Sequence, residues 1–406
     1  MPEPSPREVD LLITGAAEVL TCAADAPDLI GVTSGGVAID AGAIAAVGDV
    51  SAWTGRQVVD AQGGVVLPGF VDAHTHVVFG GSRVEEYAAR VAGVEPPAGA
   101  SVGIVGTTTA TRACGVAELV AQAAPRIAEM VAAGTTTLES KTGYGLQPEA
   151  ELRLLEANRL LDAGTDAELV STYLGAHAFP TDVAPGDYVD QILDQIPDVA
   201  AAGLAEFCDA YCDQGYFDLD QTRRILVRGV EHGLAPKLHL DAYSHTGAAD
   251  LAIEVDAVSV DHLNFTTEPE LRRLAEAGIV GVYMPCLDYA VAHPHPVQGR
   301  LLAESGMEIA LATDVCPGCM VTNMQLAIAM ACRSGGLSVA QAVRAATFGA
   351  ARSLNRSDRI GSLEPGKQAD LIVLDLPRHE DIAYRIGRNS VTTVVKSGTV
   401  LEETSW

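Results

Sequence analysis

The sequence predicts an α/β fold, a (β/α)₈ barrel of the TIM type carrying a small β-sandwich domain formed from both chain ends. Three observations predict it. The 406 residues are too many for one simple barrel of about 250 and too few for two. Apolar, β-branched runs alternate with Ala/Leu/Glu/Arg-rich stretches of helical period. Polar side chains able to do chemistry end those runs, on the rim where barrels of this kind assemble their sites.

The elements follow in chain order. Residues 9–66 hold short β-like runs broken by Gly and Asp: Leu11–Thr14, Val37–Asp40, Ala45–Val47, Val58–Asp60 and Gly64–Leu67. The same texture returns in Asp370–Leu376 and Val391–Val395. Two β-rich flanks around a central block predict one composite sheet domain, residues 1–66 with 366–406, around a barrel spanning 67–365. The predicted barrel strands are Gly69–His74, Thr135–Glu139, Leu169–His177, Glu206–Tyr211, Lys237–Asp241, Ala257–His262, Ile279–Met284 and Ile309–Asp314. Such near-continuous apolar strands between helices imply a parallel sheet covered on both faces, and eight of them suggest closure. A doubly wound open sheet is the alternative, but no Gly-rich phosphate loop follows the first strand.

Charge narrows the function classes. With 53 acidic against 26 basic residues the net charge is −27, which argues against nucleic acid and anionic membrane surfaces as partners. No apolar run is long enough to span a bilayer. The N-terminus lacks the basic and apolar regions of a signal peptide, so a cytoplasmic location is expected. Eight cysteines without a secretion signal are then expected to be free thiols.

His74, His76, Glu139, His177, His239, Asp241, His262 and Asp314 all lie at or just past predicted strand ends. A two-residue repeat points His74 and His76 to one side, so both imidazoles can reach one ion. An isolated His-x-His also occurs by chance on exposed strands; this one follows Leu67-Pro68-Gly69 and ends an apolar run. His239 ends the fifth strand and Asp314 the eighth. Imidazoles plus a carboxylate suit zinc with a position left open for water, whose pKa falls to roughly 7 on such an ion. Asp314 could touch the metal and also relay the water's proton to a leaving nitrogen, with His262 orienting the water or polarising a carbonyl.

The segment Leu67-Pro68-Gly69-Phe70-Val71-Asp72-Ala73-His74-Thr75-His76 resembles the opening motif of the amidohydrolase superfamily, and Gly366-Lys367-Gln368-Ala369-Asp370-Leu371 resembles its closing one. Within it the chain is most similar to the imidazolonepropionases of histidine degradation, which hydrolyse 4-imidazolone-5-propionate to N-formimino-L-glutamate. The similarity is carried by Phe79–Arg83, Lys141–Leu146, Leu174–His177, Ser259–Leu263 and Thr313-Asp314 followed by Pro317-Gly318. It implies one zinc or iron ion per chain on His74, His76, His239 and Asp314. It also implies that Arg83 holds a substrate carboxylate and that Tyr144 and His177 line the pocket; a homodimer is common in the family, but the sequence does not set the oligomeric state. A guanidinium suits a propionate tail because it can bind bidentately. Read without the family, Arg83 is rather a surface charge, Tyr144 a packed aromatic and His177 a satisfied core histidine.

The sequence departs from the family where the ring would sit. Ala242 stands for a polar Glu or Gln, Cys316 for an Asn and Cys319 for a Ser; a family Tyr falls near Pro96, and the expected Gly-rich segment reads Ala100–Ile104. Cys316, Gly318 and Cys319 are therefore taken as pocket-lining, in preference to a redox pair or two zinc ligands. Three functions stay open: the imidazolone hydrolase, opening of a related hydantoin-like or thio-substituted ring with an acidic tail, and a heterocycle deaminase, the last weakened by Ala242. A non-catalytic relative is a fourth, opposed by the intact metal quartet. Lys141 is expected to be structural rather than a bridge between two metals, and His293 and His295 to lie in a solvated loop. Cys22, Cys114, Cys208, Cys212 and Cys332 are expected to be buried apolar residues.

Overall fold

A computed structural model describes residues 7–26 and 28–401; the outermost parts of the expected composite domain, residues 1–6 and 402–406, lie outside the described residues.

Eight parallel strands form the barrel sheet in sequence order: Phe70–Asp72, Thr135–Lys141, Glu168–Ala176, Phe207–Cys212, Ala235–Leu240, Ser259–His262, Val280–Tyr283 and Ile309–Leu311. Every residue of the second, fourth, sixth and eighth strands is buried, as expected when helices cover one face and packed side chains fill the other. The first and eighth strands close the circle through loop backbone rather than a full ladder. Asp314 N–H donates to the His74 carbonyl (3.1 Å) and His76 N–H to the Val315 carbonyl (2.8 Å). Buried Asp72 reinforces that seam, accepting from the backbone N–H and the hydroxyl of Thr313 (3.0 and 2.5 Å).

The helices begin where side chains can satisfy free N–H groups. Asp218 accepts from Gln221 N–H at 2.9 Å while the Gln221 amide oxygen accepts from Asp218 N–H at 3.0 Å, a reciprocal cap repeated at Ser338 and Gln341. Pro148 opens the helix Pro148–Gly164, where its missing N–H costs nothing. Among the described residues no helix is long and apolar enough to cross a membrane.

The second sheet is mixed and draws on both ends of the chain. Its strands are Arg7–Leu20, Val32–Asp40, Ala43–Gly48, Trp53–Asp60, Val65–Pro68, Leu371–Leu374, Val391–Lys396 and Thr399–Val400. Val65–Pro68 pairs with Arg7–Leu20 on one side and Leu371–Leu374 on the other, so the sheet runs two residues past the expected boundary at 66. The expected sandwich is this one sheet folded back on itself. Ile44 N–H reaches the Lys367 carbonyl (2.8 Å) and Ala369 N–H the Gly42 carbonyl (2.9 Å). Leu11, Ile13, Val37, Ile39, Val66, Leu371, Val373 and Val395 share the enclosed core, most of them two apart along their strands as one-sided burial requires.

Candidate active site

The strand alternation decides which side chains meet inside the barrel. His74 and His76, Glu139 and Lys141, Asp209 and Tyr211, and Lys237 and His239 are each two apart, and all eight are buried. Register brings neighbours level, with His239 opposite both Asp261 and Tyr211.

The ligating nitrogens of His74, His76 and His239 lie within 4.8 Å of one another. Asp314 Oδ1 is 3.8 Å from His74 Nε2. The three histidines expected from distant stretches of chain therefore gather about one point, and Asp314 reaches His74 at its side. Their outer nitrogens are held from behind: His74 Nδ1 is 2.8 Å from Asp261 Oδ2, His239 Nδ1 is 2.9 Å from Asp209 Oδ2, and His76 Nδ1 is 3.1 Å from the Thr142 carbonyl. Carboxylates and carbonyls only accept, so Nδ1 of His74 and of His76 carries the proton and their Nε2 keeps its lone pair, while His239 Nδ1 lies beside Asp209 without a hydrogen bond to it. His74 Nε2, His239 Nε2 and Asp314 Oδ1 are buried without any partner. Orphaned acceptors of this kind, backed by oriented histidines, fit a divalent cation. Burial pushes the Asp314 carboxyl up to about 7 and holds His74 and His76 well below the usual histidine range.

His262 sits beside this centre, its ring 5.0 Å from that of His239 and stacked 5.7 Å from Tyr211. His177 stacks on His76 at 4.7 Å, with Nδ1 donating to the Gly143 carbonyl at 3.0 Å; burial lowers its pKa to about 3, so it is a neutral donor or acceptor. Tyr144 is buried, its ring 5.2 Å from both His76 and His177. The turn Cys316-Pro317-Gly318-Cys319 is closed by reciprocal 3.0 Å backbone hydrogen bonds between its cysteines, and both thiols are buried.

Arg83 is less free than the sequence implies. Its Nε and one Nη donate to the two oxygens of Glu86 at 2.5 and 2.7 Å. Nη1 remains, facing Gly318 across the space a Gly318 Cβ would enter, 3.9 Å away. Arg83, Gly318 and Cys319 also line a cavity of about 620 Å³ with Phe79, Tyr289 and Met330.

Asp241 lies just past its strand end as expected but turns to the following loops, accepting from Thr246 N–H and the Thr266 hydroxyl at 2.8 and 2.9 Å. Other residues lie elsewhere than expected. Glu139 turns into the barrel, 2.9 Å from Lys237 Nζ. His293 is buried, not solvated: its ring packs 4.8 Å from Tyr243 and its Nδ1 accepts from His295 N–H at 3.1 Å. Its neighbour His295 is exposed. Cys114 and Cys332 are only partly buried, and all eight cysteines are free.

Sequence reasoning missed the roles of Asp209 and Asp261. The available signal was a carboxylate inside an otherwise apolar strand, Phe207-Cys208-Asp209-Ala210 and Ser259-Val260-Asp261, since a buried acid needs a partner. Lys141 supplies it, contacting Asp209 Oδ2 and Asp261 Oδ2 at 2.7 and 3.0 Å.

Residues 65–401 match the model of the amidohydrolase family. The chain is 40% identical to the imidazolonepropionase of Halobacterium salinarum, covering 97% of this chain and 98% of that one. It is 39% identical to the imidazolonepropionase of Geobacillus kaustophilus, covering 92% and 91%. Among solved structures it resembles a zinc-bound adenosine deaminase from Xanthomonas campestris, with a TM-score of 0.74 at 22% identity over 97% of this chain and 93% of that one. An atrazine chlorohydrolase from Arthrobacter aurescens also gives a TM-score of 0.74, at 18% identity over 96% and 94%. At those identities the likeness to solved structures concerns the fold alone.

Proposed function

The chain belongs to the amidohydrolase family, and on that premise we propose that it hydrolyses 4-imidazolone-5-propionate to N-formimino-L-glutamate. Identity of about 40% to imidazolonepropionases over nearly the whole chain supports the substrate. The observation that carries the chemistry is the convergence of three buried, unpartnered acceptors, His74 Nε2, His239 Nε2 and Asp314 Oδ1.

In this reading His74, His76, His239 and Asp314 hold one zinc or iron ion per chain. When bound, such an ion supplies Lewis-acid charge and makes water a nucleophile near neutral pH. Asp314 takes the proton of the attacking water and delivers it to the departing ring nitrogen. The new C–O bond forms as the ring C–N bond breaks, and the carbonyl carbon leaves as a carboxylate. His262, against His239, orients the water or steadies the charge growing on the carbonyl oxygen. Arg83 Nη1 holds the propionate, with Tyr144 and His177 as neutral pocket walls. Cys316, Gly318 and Cys319 line the ring side in a pocket rebuilt around thiols. The protein acts in the cytoplasm on a small molecule, as a homodimer.

Purified protein carries about one zinc or iron per chain on this reading, and chelation abolishes opening of freshly made imidazolone propionate. Asp314→Asn stays folded and inactive. Metal-free protein that turns over undiminished overturns the mechanism. Faster opening of the hydantoin analogue than of the imidazolone overturns the substrate.

A further inference from the structure

Lys141 is a buried ammonium in contact with three carboxylates, hydrogen-bonded to two of them, Glu139 and Asp209. Its Nζ lies 2.7 Å from Asp209 Oδ2, 3.0 Å from Asp261 Oδ2 and 3.1 Å from Glu139 Oε1, with the side chain wholly enclosed. Two of those carboxylates are the ones behind the histidines: Asp261 Oδ2 is 2.8 Å from His74 Nδ1 and Asp209 Oδ2 is 2.9 Å from His239 Nδ1. Each of these two oxygens faces both the ammonium and an imidazole. Asp209, His239 and Asp261 also form a compact group of ligand-type side chains, and the cation already in contact with both its carboxylates is Lys141.

We propose that Lys141 is a positioning residue, bridging Asp209 and Asp261 so that His239 and His74 present their Nε2 lone pairs to a single cation. The inference rests on the metal-site reading above. Without the ammonium, two buried carboxylates close enough to share it repel one another. They then separate, and the imidazoles behind which they stand lose the oxygens that position them. The histidines then tilt, and the site loses its ligand geometry. Lys237 supplies the contrast, because it contacts Glu139 Oε1 at 2.9 Å and neither aspartate within 4.0 Å. It is as buried as Lys141, so it controls for the loss of a buried ammonium that does not bridge the two aspartates.

The test is cobalt(II) binding to the full chain, followed by competition with a chelator and by visible absorption, which reports ligand geometry. Lys141→Met should weaken cobalt affinity by about 10–100-fold, the usual cost of losing an outer partner of a metal histidine, and should shift the absorption bands. Lys237→Met should lose thermal stability while keeping affinity and spectrum near wild type. Wild-type affinity and spectrum in Lys141→Met overturn the bridge, as does an equal loss in Lys237→Met. If Lys141→Met does not fold, the wild type still decides. The chain has four lysines, Lys141, Lys237, Lys367 and Lys396, and zinc loading should shift the ¹⁵Nζ signal of Lys141 most; no shift overturns the bridge. Wild-type protein that binds neither cobalt nor zinc removes the metal reading itself, which separates that failure from this one.

Discussion

Replacing Gly143 with alanine asks whether the His177 ring takes part in the reaction or only fills space. Gly143 has φ +106°, a conformation that L side chains rarely adopt, and an added Cβ would lie 2.7 Å from both Cβ and Nδ1 of His177. Ordinary contact begins near 3.4 Å, so ring and loop must separate by about 0.7 Å. The Gly143 carbonyl also accepts the His177 Nδ1 hydrogen bond at 3.0 Å, so the added atom pushes against the group that orients the ring. Misplacement by about 1 Å can cost about a hundredfold. The structure therefore predicts a fall in kcat/KM of between about tenfold and a hundredfold, about 1.4–2.7 kcal/mol of transition-state stabilisation. The strained backbone adds a loss of folding stability of about 1–3 kcal/mol. The histidines proposed as metal ligands are backed by Asp261, Asp209 and the Thr142 carbonyl, so bound metal should stay near the wild-type amount. Steady-state kinetics on imidazolone propionate, metal analysis and urea unfolding measure the three quantities. Wild-type kcat/KM in a folded, metallated Gly143→Ala protein refutes the assignment of His177 to the pocket.

Two further outcomes follow from ion pairs. Arg83→Ala should raise KM for rings bearing an acidic tail by about 10–150-fold, the equivalent of one charge-assisted hydrogen bond of about 1.5–3 kcal/mol from the single free Nη1. Equal effects on an uncharged ring would remove Arg83 from substrate binding. At the base of the barrel, Glu168 receives Arg356 Nε at 2.9 Å and Arg359 Nη2 at 2.5 Å. Burial alone would raise its pKa, but the Arg356 hydrogen bond and the charges of Arg359, Lys396 and Arg356 outweigh it and hold the carboxyl below its usual range. A depressed folded pKa contributes stability above the unfolded value, about 4.3, and loses it as pH falls through the folded pKa. Glu168→Gln should therefore be destabilised by about 1–3 kcal/mol at pH 7, with the deficit shrinking below about pH 4 in urea titrations. A deficit independent of pH would assign the loss to packing instead of charge.

Much of this protein was legible in one dimension because the barrel repeats a simple rule. Buried parallel strands are continuous apolar runs, and each of the eight expected strands lies where a barrel strand is found. Chemistry-bearing residues at strand ends share a rim by topology alone, so His74, His76, His239 and Asp314 could be grouped before any coordinates. Asp209 and Asp261 could not be given roles, because what a carboxylate inside a strand touches depends on which strands lie beside and across from it. The same limit applies to Arg83, whose pairing with Glu86 is set by the rotamers of a loop and a helix start. His293 likewise reads as a loop residue until Tyr243 and Asn264 close over it. Local pattern and topology determined the fold and the four candidate ligands, since both follow from periodicity and strand order. The tertiary structure alone decided how each ligand is oriented, because a hydrogen bond between strands depends on angles and ångströms that no spacing along the chain encodes.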